Sequence, residues 1–151
     1  MKNTAPIMII EDDMDDQEFL EETFSILDYP NPVIYFSNGN EALEYLLETT
    51  TPPVLIISDV NMPKISGIEI REKINSDKRL QKLQIPFVFF TTAQRAAVVG
   101  ACSLSDHGFF TKPNTMLEFQ NTIRTIVEYW LGRYMPSLFI KRTDYQTAVY
   151  S

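Results

Sequence analysis

The chain's 151 residues, 44% of them hydrophobic, suffice for one well-packed domain and fall short of two ordinary ones. Its 20 acidic residues against 13 basic ones give a net charge of -7 with no basic patch to offset it, which argues against direct nucleic-acid binding. The single cysteine, Cys102, allows no internal disulfide, the opening Met-Lys-Asn-Thr-Ala-Pro lacks a signal-peptide apolar run, and no apolar stretch nears the roughly 20 residues of a bilayer span, so a cytoplasmic setting without a membrane anchor is expected.

Along the chain, short apolar runs rich in β-formers alternate with stretches whose apolar residues recur at helical spacing. Pro6 to Ile10 predicts the first strand. After an acidic cluster, Phe19, Leu20, Phe24 and Leu27 share one face of an amphipathic helix, with Glu18, Glu21 and Glu22 off it. Asp28-Tyr-Pro-Asn-Pro32 breaks that helix; Val33 to Phe36 predicts the second strand, and Asn38-Gly-Asn40 leads into a helix with Ala42, Leu43, Leu46 and Leu47 inward. The third unit is Val54 to Ile57 with a helix from about Ser66 to Asn75, and the fourth is Phe87 to Phe90 with a weaker helix from about Arg95 to Leu104. A short fifth strand covers Phe109 to Thr111, and the last helix carries Phe119, Ile123, Ile126, Val127 and Trp130 on one stripe.

Near-continuous apolar strands joined by helical crossovers predict a doubly wound α/β domain, its parallel sheet buried on both faces. In such sheets ligands gather beyond the carboxyl ends of the strands. The polar residues stand there: Glu11, Asp12 and Asp13 after strand one, Ser58 and Asp59 after strand three, Thr91 and Thr92 after strand four, Lys112 and Pro113 after strand five. Carboxylates converging at one edge repel one another unless a cation compensates them, and one cysteine and one histidine cannot supply a zinc set, so magnesium or manganese is expected. With that cation present, Asp59 becomes a candidate covalent nucleophile for a phosphoryl group, Lys112 a counter-charge and the Thr91 hydroxyl a hydrogen-bond donor to the phosphoryl oxygens.

Ile9-Ile10-Glu11-Asp12-Asp13, Asp59-Val60-Asn61-Met62-Pro63 with Gly67, Pro86 through Thr91-Thr92, and Lys112-Pro113 together resemble the response-regulator receiver family. Spacings match as well as identities, with 32 residues from Asp59 to Thr91 and 21 more to Lys112. The resemblance implies a five-stranded flavodoxin-like (CheY-like) sheet in the order 2-1-3-4-5, with the receiver domain at 5-132 and residues 133-151 an extension without an output domain. It further implies that Glu11, Asp12, Asp59 and the backbone carbonyl of Asn61 hold Mg2+ or Mn2+, and that Asp59 is the phosphoacceptor. Thr91 then resembles the switch hydroxyl, Phe109 the switch aromatic and Lys112 the phosphate-pairing lysine, with a cis bond to Pro113. A single-domain regulator of this kind is no conventional enzyme: it takes its phosphoryl group from a sensor histidine kinase or phosphotransfer protein and signals to a downstream protein through the face of the fourth and fifth units.

Plainer readings stand beside these. Asp13, Asp15 and Asp16 are read as helix-capping and dipole-favouring acids, His107 as an exposed loop residue, Cys102 as packing, and Phe87, Phe89, Phe90 and Phe110 as core. Alternative functions are a phosphorylation-independent binding module, a Mg-dependent phosphatase with an aspartate nucleophile, and a flavodoxin-like electron carrier. Two features depart from the family pattern. Ala93, two residues beyond Thr91, has only a methyl group, which cannot orient a hydrolytic water, and this predicts a phosphorylated state longer-lived than in relatives carrying a carboxylate or amide there. After Leu131 the tail, with Leu138, Phe139, Ile140, Tyr145 and Tyr150, resembles that of small regulators paired with phytochrome-type or hybrid kinases; packing on the domain, a homodimer and a free tail all remain open.

Overall fold

In the computed structural model, which describes residues 5-92 and 108-134, five strands form one parallel sheet in the order β2-β1-β3-β4-β5. They are β1 (Ile7–Ile10), β2 (Val33–Phe36), β3 (Leu55–Ser58), β4 (Phe87–Thr91) and β5 (Phe109–Thr111). The helices of the described residues are α1 (Met14–Leu27), α2 (Gly39–Glu48), α3 (Gly67–Ser76), α4 (Lys78–Leu83) and α5 (Met116–Tyr134). This is the doubly wound sheet expected from sequence, with the expected strand order.

The apolar runs are continuous because the sheet is covered twice. Ile7, Ile9, Leu55, Ile57, Val88 and Phe90 point into one core with Leu20, Phe24 and Leu27 of α1 and Phe119, Ile123, Ile126, Val127 and Leu131 of α5. Their neighbours Met8, Ile10, Ile56, Phe87 and Phe89 point into the other, against Ala42 and Leu46 of α2, Ile70 and Ile74 of α3 and Leu80 of α4. Strand periodicity thus divides each run between two layers, and each fully buried Ile, Leu or Phe contributes about 1.5–3 kcal/mol of transfer free energy.

Two expectations are corrected. A short α4 follows α3 directly, where no element was predicted: the Asp77 side chain accepts hydrogen bonds from the backbone N–H groups of Arg79 and Leu80, and Gln84 in the left-handed region ends the helix. Six residues with one buried apolar side chain, Leu80, are too few to show a helical period. The Lys112-Pro113 peptide is trans, not cis, among described residues without any cis bond; an X-Pro bond favours trans by about 0.5–1 kcal/mol, so local sequence does not force the cis isomer. The predicted helix from about Arg95 to Leu104, together with Ala93, Cys102 and His107, lies outside the described residues, as does the tail from residue 135 onward.

Parallel pairing brings the carboxyl ends of the central strands to one edge. Ile10 is in register with Ser58, Ser58 with Phe89 and Thr91 with Thr111, so the residues just beyond these ends become neighbours although they are scattered along the chain. Two backbone bonds extend the register past the strands: Asp59 N–H donates to the Ile10 carbonyl at 3.0 Å and Lys112 N–H to the Thr91 carbonyl at 2.7 Å.

Candidate functional site

At this edge Glu11, Asp12 and Asp59 each present a carboxylate oxygen, and the three oxygens lie within 4.8 Å of one another. Glu11 and Asp59 are buried, Asp12 half-exposed. One Asp59 oxygen, Oδ1, accepts the Val60 N–H at 2.7 Å, which fixes the carboxylate's rotamer, while Oδ2 lies 3.3 Å from the Lys112 ammonium. Glu11 Oε1 receives a bond from Lys112 Nζ at 2.6 Å and Glu11 Oε2 accepts the Asp13 N–H at 3.1 Å. Lys112, with its side chain nearly buried, carries a third partner: Asp16 Oδ2 at 2.7 Å.

The electrostatics describe a pocket with an excess of negative charge. Burial pushes the Glu11 carboxyl up to about 8; Lys112 opposes the shift and the Asp59 charge adds to it. Burial on its own lowers a lysine's pKa, yet the Glu11 and Asp59 carboxylates outweigh it and hold Lys112 above the usual lysine range, so its ammonium stays charged. Three carboxyl groups, those of Glu11, Asp16 and Asp59, therefore converge on one ammonium with Asp12 close by, and the donor set of Glu11, Asp12 and Asp59 is oxygen only, which suits a hard divalent cation. Three convergent oxygens at these separations can share one such ion directly or through a water.

Thr91, at the end of β4, is fully buried and its Oγ1 has no hydrogen-bond partner among the described residues. A buried hydroxyl without a partner costs about 1–3 kcal/mol, so it is well placed to donate to an incoming acceptor. Asn61 is exposed in the loop after β3. That loop is closed by Gly67: its N–H donates to the Val60 carbonyl at 2.7 Å, and a Cβ there would lie 2.1 Å from the Asp59 carbonyl oxygen. Phe109 is half-buried, its ring 6.2 Å from that of Phe89 and packed on the core that α2 and α3 cover.

Of the residues singled out in sequence, Glu11, Asp12, Asp59 and Lys112 are brought together, with Thr91 and Asn61 at the same sheet edge. Of the acids read as capping, Asp13 does cap α1, accepting the Asp16 N–H at 3.0 Å, and Asp15 lies exposed in the first turn. Asp16 does more than favour the helix dipole, since its carboxylate pairs with Lys112. No local pattern announces a partner 96 residues away.

A doubly wound domain with an acidic, lysine-closed pocket at the carboxyl edge of its sheet is the architecture of CheY-like signalling domains. The family described as response regulator receiver domain matches residues 7–124, and the chain belongs to it. Chemotaxis protein CheY1 of Helicobacter pylori is 28% identical over 110 residues, covering 72% of this chain and 86% of that protein. The phosphorylated cyanobacterial phytochrome response regulator RcpA superposes with a TM-score of 0.72 at 26% identity, over 86% of this chain and 96% of that one. The Mn2+-bound form of response regulator Rcp1 shares the fold with a TM-score of 0.70 at 24% identity, over 84% and 94% of the two chains. No helix among the described residues is long and apolar enough to cross a membrane.

Proposed function

We propose that this receiver domain, spanning about residues 5-132, takes a phosphoryl group onto Asp59 from the phosphohistidine of a sensor kinase or phosphotransfer protein and passes the signal to a downstream protein. The single observation that carries the reading is the convergence of Glu11, Asp12 and Asp59 beside the Lys112 ammonium at one sheet edge. Glu11, Asp12, Asp59 and the Asn61 carbonyl are the groups that would hold Mg2+ or Mn2+. When bound, such an ion neutralises charge on the phosphoryl oxygens and relieves the mutual repulsion of the carboxylates.

The chain's own residues then divide the work. An Asp59 carboxylate oxygen attacks phosphorus, the P–N bond to the donor imidazole breaks with its electron pair leaving on nitrogen, and an acyl phosphate forms. Lys112 offers N–H groups to the transferred oxygens, and Thr91 Oγ1, which has no partner among the described residues, gains one by donating to the phosphoryl group. Movement of Thr91 toward that group frees space at the β4 end, and half-buried Phe109 turns further in, which alters the face of the fourth and fifth units.

The test is intact mass after incubation with acetyl phosphate and Mg2+, repeated on Asp59→Asn and with the metal chelated. One base-labile phosphoryl adduct is expected on wild type alone and only with metal. An adduct that survives Asp59→Asn, or repeated turnover of generic phosphate esters as a phosphatase would show, contradicts the reading.

A further inference from the structure

We propose that Asp16 is a positioning residue for Lys112, holding the ammonium at the mouth of the pocket so that it meets incoming phosphoryl oxygens; on the receiver chemistry proposed above, Asp16 thereby sets the rate of phosphoryl uptake. A lysine stem is long and flexible, and its ammonium has three donors to place. Two of them go at short range to Glu11 and Asp16, at 2.6 and 2.7 Å, and Asp59 receives the longest contact at 3.3 Å. Glu11 is also a candidate metal ligand, so its hold on Lys112 is shared as soon as a cation arrives. Asp16 has no such second duty and remains the anchor.

Space for misplacement lies next door. A cavity of about 450 Å³ opens beside the lysine, lined by Asp16 and Phe19 of α1 together with Pro113, Met116 and Phe119. Without the Asp16 carboxylate the ammonium could swing into it. The Phe90 ring, its centroid 6.0 Å from Nζ, is at the far limit of a cation–π contact and holds the charge only weakly.

The platform that carries Asp16 is fixed. Asp16 is the third residue of α1, the place from which a Glu or Gln side chain closes a capping box on the backbone N–H of the N-cap residue. Here Glu11 Oε2 accepts that Asp13 N–H instead, leaving the Asp16 side chain to reach across to Lys112. One residue on, the Gln17 amide donates to the Glu11 carbonyl and latches the first turn of α1 to the end of β1. Because Asp13 caps α1 through the Asp16 backbone N–H, changing the Asp16 side chain leaves the cap intact.

The experiment follows the rate of Asp59 labelling by acetyl phosphate in saturating Mg2+ for wild type, Asp16→Ala, Asp16→Asn and each Asp16 variant on Lys112→Ala. Asp16→Ala is expected to slow labelling about tenfold, the orienting value of one charge-assisted hydrogen bond, and Asp16→Asn less, since it keeps an acceptor. On Lys112→Ala the Asp16 change is expected to have no effect. A second readout is the ammonium ¹⁵N NMR signal of Lys112, expected to be sharp in wild type and lost in Asp16→Ala; it decides alone if the Lys112→Ala background takes up no label. Wild-type labelling rates in Asp16→Ala, an effect that persists without Lys112, or an unchanged ammonium signal overturns the proposal. Failure of wild type itself to be labelled on Asp59 rejects the receiver chemistry and this inference with it.

Discussion

Gly67→Ala is the sharpest structural perturbation of the pocket. The added Cβ would lie 2.1 Å from the Asp59 carbonyl oxygen and 3.2 Å from its carbon, where ordinary contact begins at 3.4 Å, so the shortfall against the oxygen exceeds an ångström. The obstacle is backbone, and that backbone is held: Ser58 Oγ donates to the same carbonyl at 2.7 Å, and Gly67 N–H is bonded to Val60. Either α3 retreats and loses the Gly67–Val60 bond or the Asp59 peptide moves, and overpacking of this kind costs about 1–3 kcal/mol. Two other glycines calibrate the result. At Gly39 the clashing atoms are the side-chain ends Ile70 Cδ1 at 2.5 Å and Ile65 Cγ2 at 2.6 Å, which can yield, so a smaller loss is expected; at Gly132 in α5 nothing among the described residues lies within 4 Å, and alanine is expected to stabilise by about 0.5–1 kcal/mol through helix propensity. Thermal and urea unfolding of the three variants gives the order, with each kcal/mol moving the melting temperature by about 2–4 °C for a chain of this size. A Gly67→Ala variant as stable as wild type, or no less stable than Gly39→Ala, would refute the claim that α3 is locked against the Asp59 peptide.

Thr91→Val is expected to leave stability unchanged or raise it by about 1 kcal/mol, because the hydroxyl it removes is buried without a partner among the described residues, while weakening the response to phosphorylation; a clear loss of stability in urea would show the hydroxyl to be bonded in the resting state. Asp13→Ala removes the acceptor of the Asp16 N–H and is expected to cost about 1 kcal/mol, read as a lower urea midpoint at constant slope. Ala93→Glu, suggested by sequence alone, is expected to speed loss of the phosphoryl group from Asp59 by supplying a side chain that orients water; equal or slower decay followed by mass would count against that role.

The sheet was legible because its strands are buried on both faces and so read as apolar runs, Pro6 to Ile10 and Phe87 to Phe90 among them, while α1 and α5 showed their single apolar stripes. Glu11, Asp12, Asp59 and Lys112 were legible for a related reason: parallel topology converts the rule that ligands lie beyond strand ends into neighbourhood in space. What stayed hidden was non-local or too short. Asp16 has a complete local explanation as a first-turn acid, and its partner sits on the far side of the sequence. Helix α4 has one buried anchor, Leu80, and the cis bond expected at Pro113 came from the family resemblance, whereas the dipeptide itself favours the trans form found.

The most direct measurement is a crystal structure of the protein grown with Mn2+ and beryllofluoride, a mimic of the phosphoryl group. The account predicts the fluoride adduct on an Asp59 carboxylate oxygen, an anomalous manganese peak touching Glu11, Asp12 or Asp59, and both Lys112 Nζ and Thr91 Oγ1 bonded to fluorines. A manganese peak elsewhere, or an adduct that leaves Asp59 bare, would contradict it.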